Sequence, residues 1–130
     1  MPTLDQDRAK LAFEHITTVK TWDEARRKKY ASIVHAMPAL LRSAGLSQSL
    51  HFVKSRKSED QRALLTHLAA QLRRSDDGIV NADVLLDKVR RAELPAYLQL
   101  THEALACITW YRRFVQGELR IEAGNDDARD

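Results

Sequence analysis

Apolar residues in this chain recur at steps of three and four almost from end to end. Nowhere do they alternate at every second position for long enough to make a strand. That spacing restricts the chain to an all-α fold, predicted as a single-domain bundle of about five to six helices with a long central C-terminal helix. Ala9, Ala12, Phe13, Ile16 and Val19 mark the buried stripe of a first helix over about Asp5 to Lys20. Asp23 is a suitable N-cap for a second helix, whose core face reads Tyr30, Ile33, Val34, Met37 and Leu41. Pro38 lacks an amide donor and crowds the carbonyl four residues back, so that helix is predicted to kink or restart near Met37. Gly45 can close it with a positive φ, with Leu46 folding back over the end, before a short helix from Ser47 to Lys54.

Ser58, two acids and Gln61 form a capping box for the next helix, which buries Leu64, Leu65, Leu68 and Leu72 and ends at Arg73 and Arg74. A turn over Ser75 to Ile79 precedes another helix, capped by Asn81 and reaching Arg91, with Val84, Leu85 and Val89 inward. Pro95 suits the first turn of the last helix, predicted to run to about Glu122. Its stretch from Ala104 to Tyr111 is apolar almost all round, which places it inside the bundle. The length of 130 residues suits one domain, assigned here to residues 1–123, with 124–130 (GNDDARD) as a disordered acidic tail.

Residue chemistry narrows the function classes. The lone Cys107 lies in an apolar stretch and reads as a reduced core residue, so the chain is expected to be cytoplasmic, without a disulfide framework. The N-terminus has no apolar leader, and no run approaches the ~20 residues of a membrane span. His15, His35, His51, His67 and His102 include no pair three or four apart, so neither a metal nor a cofactor is expected. His102 and Glu103 begin a metalloprotease motif, but Ala106 stands where the second histidine belongs. No nucleophile elbow or Gly-rich phosphate loop is present, and Asp87 pairs more naturally with Arg91 than with Asp83. No catalytic residue is assigned; an active site would have to be assembled from groups far apart in sequence, such as two of the histidines.

Charge is distributed unevenly. Lys20 to Lys57 holds nine basic residues against Asp23 and Glu24, a local +7 in a chain whose net charge is +3. Helical geometry puts Lys28, Ser32, His35, Ala39 and Arg42 on one stripe opposite the core face, where a polynucleotide backbone could lie. Arg26, Lys54, Arg56 and Lys57 extend this basic surface, and long flexible cations reach phosphates without reading bases. A merely solvated face is the alternative. Arg113, Gln116 and Arg120 form a second stripe on the last helix. The neighbouring Trp110 is read as packing, with base stacking as its alternative role.

Two segments resemble a known family. They are PALLRSAGLSQSLHFVKS (Pro38 to Ser55) and YLQLTHEALACITWYRRF (Tyr97 to Phe114). They are similar to the small, all-helical subunit of the Cmr-type (type III-B) CRISPR RNA-targeting effector complex. That family shares a proline, paired leucines, an arginine, a Gly-Leu step and a later Gln-x-Leu-x-Phe. Thr101, Glu103, Ala104, Leu105, Trp110, Arg113 and Phe114 match its second signature in place; Ala44 stands where the family often has asparagine. The resemblance implies a non-catalytic subunit, present in several copies beside the backbone subunits, that helps hold guide RNA and target RNA. Its implied partners are therefore the other subunits of the complex, copies of itself and those RNAs. The alternative is a helical protein-interaction module without direct nucleic-acid contact. The basic residues taken as phosphate contacts are Arg26, Lys28, Arg42, Lys54, Arg56, Lys57 and, more weakly, Arg113; this choice rests on helical geometry.

Overall fold

The computed structural model describes residues 1–124; the predicted tail beyond Gly124 lies outside the described residues. Five helices and no strand occur among them: α1 (Leu4–Lys20), α2 (Glu24–Lys54), α3 (Glu59–Leu72), α4 (Ala82–Arg91) and α5 (Leu94–Gly117). Four helix starts carry side-chain caps; those at Asp23, Ser58 and Asn81 were expected, although Gln61 does not complete the capping box because its side chain bonds Ser32 and Arg56. Thr3 and Gln6 cap α1 reciprocally, and Asp23, Ser58 and Asn81 each accept a backbone N–H from the first turn of their helices. Glu93 gives α5 no side-chain cap, and Pro95 in its first turn supplies the preset φ instead.

Phe13, read as part of the buried stripe of α1, is exposed, and Val84, read as inward, is half-buried while Leu86 is buried. Two expectations about the backbone also need correction. α2 keeps helical backbone angles through Pro38 and departs from them only at Gly45, at φ 85° and ψ 169°. Buried packing of Val34, Met37, Pro38 and Leu41 outweighs the one hydrogen bond that the proline removes. The break at Gly45 has a positive φ, as predicted, but its extended ψ puts it in a region almost confined to glycine, not in the left-handed cap. Tyr97 of α5 stands beside it, and its hydroxyl accepts the Ser47 N–H at 3.0 Å. The second correction is at the C-terminus, where α5 stops at Gly117 and not near Glu122. Residues 118–121 turn back so that Leu119 and Ile121 are buried, and Arg120 takes a φ of 62°. The helix end is thus set by where two apolar side chains find the core.

α5 packs against α1, α2 and α3, and α2 and α3 also pack against each other. Ala104, Cys107, Ile108 and Tyr111 of α5 are buried, whereas Thr109 reaches solvent, so α5 is central but not enclosed on every side. Leu64, Leu65, Leu68 and Leu72 are all buried on α3, as their spacing required.

Candidate nucleic-acid interface

The basic residues do not form the single stripe that the spacing predicts. Ser32 is buried, donating to the Lys29 carbonyl at 2.8 Å and accepting from Gln61 Nε2 at 2.9 Å. His35 is half-buried, its Nε2 2.9 Å from the Ile121 carbonyl oxygen. The first turn of α3 and the segment after α5 therefore cover the middle of the stripe. Lys28 and Arg42 are left at its two ends, roughly 21 Å apart along the helix axis. The second stripe fails too, since Arg120 lies beyond the end of α5.

The structure instead gathers Arg26 and Arg56 at the start of α3. Arg26 donates from Nε to Asp60 at 2.8 Å and lies over the Trp22 ring, 4.4 Å from its centroid. Arg56 donates to Gln61 Oε1 at 3.0 Å and sits 5.2 Å from the Phe52 ring centroid, with Lys57 following it. Lys28 pairs with Glu24 at 3.7 Å, and Lys54 reaches across to Asp83 of α4 at 3.2 Å. Arg42 and Arg113 are exposed, with no ion pair or side-chain hydrogen bond among the described residues. Arg26, Arg42, Lys54, Lys57 and Arg113 are exposed, whereas Lys28 and Arg56 are half-buried, and Arg26 and Arg56 are each steadied by an aromatic ring.

Two polar clusters escaped the sequence reading because their members are far apart in the chain. Arg8 grips Glu103 with both Nε (2.8 Å) and Nη2 (2.7 Å), and Arg74 approaches the same carboxylate at 3.6 Å. Arg8 holds that carboxyl below the usual range, although burial opposes the shift. Burial and the adjacent Glu103 push the Cys107 thiol up to about 12. In the second cluster His15 and His67 stack with ring centroids 4.1 Å apart. His15 Nδ1 lies 2.7 Å from the Tyr111 hydroxyl, which also accepts from Gln71 Nε2, and His67 Nδ1 lies 2.7 Å from the Tyr30 hydroxyl. Burial lowers both histidines, His67 to about 3, so the pair is neutral at neutral pH and braces α1, α2, α3 and α5. Glu103 inside an apolar helix and Gln71 on a leucine stripe were the signals that a buried polar contact existed. Asp87 pairs with Arg91 as the sequence suggested, and with Arg90 as well. No group of His, Cys, Asp and Glu among the described residues is placed to hold a metal ion. Among the described residues no helix is long and apolar enough to cross a membrane.

Residues 4–118 match the family described as CRISPR-associated protein (Cas_Cmr5), a span that takes in all five helices. The chain belongs to the Cmr5 family. A Cmr5 relative, the "CRISPR system Cmr subunit Cmr5" of Thermus thermophilus, is 38% identical over 116 residues, 89% of this chain and 96% of that protein. The crystal structure of a CRISPR-associated Cmr5 family protein from the same organism superposes with a TM-score of 0.80. It is also 38% identical, over 90% of this chain and 97% of that one. Both segments that carried the resemblance lie within the Cmr5 match.

Proposed function

We propose that this chain is the small structural subunit of a Cmr-type (type III-B) CRISPR effector complex, acting in antiviral defence and doing no cutting itself. It stacks in several copies along the backbone subunits and helps hold guide and target RNA. The phosphate contacts are assigned to Arg26, Lys28, Arg42, Lys54, Arg56 and Lys57, with Arg113 a weaker member. The observation that carries this reading is the Cmr5 match over residues 4–118. The separated basic groups fit a subunit that touches a long polyanion at several points. They do not fit one that reads a sequence.

A helical protein-interaction module without RNA contact is the second reading, favoured by the exposed Leu4, Leu94 and Leu98. Affinity capture of the tagged chain from its native cells, with and without ribonuclease, separates the two. Recovery with backbone subunits and small RNAs of uniform ends, and release on digestion, supports the RNA-bound subunit. Retention of the protein partners after complete digestion supports the interaction module. Recovery with neither would overturn the assignment. Within the complex, Lys28→Glu with Arg42→Glu should weaken RNA retention and flatten its salt dependence at unchanged helicity; unchanged retention would remove those two contacts.

A further inference from the structure

One cleft borders Arg113 but none of the other cations assigned to phosphate. It has a volume of about 470 Å³ and is lined by Asp5 of α1 and by Ala106, Thr109, Trp110 and Arg113 of α5. Small-molecule sites occupy roughly 300–1,000 Å³, so one nucleobase with its sugar fits. The Trp110 indole is fixed in advance: Nε1 donates to Asp5 Oδ1 at 3.1 Å, and Phe114 stacks on the ring at 5.6 Å between centroids. Phe114 is in turn braced edge-on by Phe13 at 5.4 Å. Asp5 Oδ1 also accepts from Arg8, whereas Oδ2 has no partner among the described residues. Arg113 lines the same cleft without a counter-ion, and the adjacent Arg112 is likewise exposed and unpaired.

We propose that this cleft holds one unpaired nucleobase of single-stranded RNA, stacked on Trp110, with Arg113 on the adjoining phosphate and Asp5 accepting from the amino group of the base. This rests on the reading that the chain lies against RNA, but it assigns a site and a base preference that phosphate contacts do not supply. Charge fixes the orientation: a phosphate is repelled by Asp5 and drawn to Arg113, so the base edge faces the carboxylate. An aromatic plane accepts every base by stacking, and selection falls to Asp5. Adenine, cytosine and guanine each present an amino donor. Uracil offers only a ring N–H between two carbonyl oxygens that a carboxylate repels, so it is disfavoured. Ala106 also lines a second cleft, of about 620 Å³ and bordered by Leu4 and Leu98, which leaves room for a neighbouring nucleotide.

The test is a titration of the isotope-labelled full chain with ten-nucleotide oligoadenylate and oligouridylate at low salt, following the indole N–H resonances. Trp110→Phe assigns the signal. Oligoadenylate should move the Trp110 resonance, with roughly tenfold weaker binding for oligouridylate. Arg113→Gln, at an exposed and unpaired position, should lower the affinity severalfold and reduce the salt slope by about one. Asp5→Asn should narrow the adenylate preference severalfold, which separates recognition at Asp5 from the stronger stacking of adenine. A shift confined to the Trp22 indole beneath Arg26, with Trp110 unmoved, would overturn the cleft and leave the RNA-bound reading standing. No shift anywhere would overturn both. Equal binding of the two oligonucleotides, unaltered by Asp5→Asn, would overturn the role of Asp5.

Discussion

Lowering the pH should destabilise this protein through the stacked histidines, and the size of the effect can be worked from the site. His67 is held at about 3 against an ordinary 6.5, because burial disfavours its cation and the neighbouring His15 repels it. A histidine depressed in the folded state gives stability that is complete above the unfolded value and falls as the pH drops below 6.5. The loss approaches about 1.4 kcal/mol per pH unit until the folded value is reached, so that about 2–3 kcal/mol is gone by pH 4.5. His15 is shifted in the same direction and adds to the loss. His67→Asn keeps an oxygen near the position of Nδ1 for the Tyr30 hydroxyl and cannot take up the proton. Urea unfolding followed by circular dichroism between pH 7 and 4.5 should show the variant less stable at pH 7, yet losing about 2–3 kcal/mol less than the parent on acidification. Parallel curves for the two proteins would refute the reasoning, because the other group that takes up a proton in this window, His15, is common to both.

Three further outcomes follow from the packing. Glu103→Gln leaves Arg8 and Arg74 facing each other across a buried position, and should lower stability by about 3 kcal/mol in a denaturant titration. Gly45→Ala places a side chain at φ 85° and ψ 169°, and should cost about 1–3 kcal/mol by thermal melting, although the added carbon meets only an ordinary contact with Tyr97. Cys107 is fully buried with its thiol raised to about 12, so a thiol reagent at pH 8 should label it only on unfolding. Rapid labelling of the native protein would contradict its placement.

Local chemistry was enough to find the helices, because each start carries a cap or proline and each buried stripe is written in nearest-neighbour steps of three and four. The start of α3 at Ser58 and the start of α4 at Asn81 required nothing beyond a few adjacent residues. The two specific segments were likewise contiguous, so family membership was readable before any fold was known. The basic surface was only half legible: periodicity says which residues share a helix face, but not what lies over that face. Ser32 and His35 turned inward because Gln61 and Ile121, remote in sequence, cover them. Tertiary structure alone brought Arg8 to Glu103 across 95 residues, set His15 on His67, and lined one cleft with Asp5, Trp110 and Arg113. It also decided that Pro38 would stay within its helix while Gly45 broke it. Secondary structure here follows from interactions a few residues long, which a sequence displays directly. The surfaces and buried polar contacts depend on how five helices pack, and the energies that decide their packing belong to pairs that the chain order does not show.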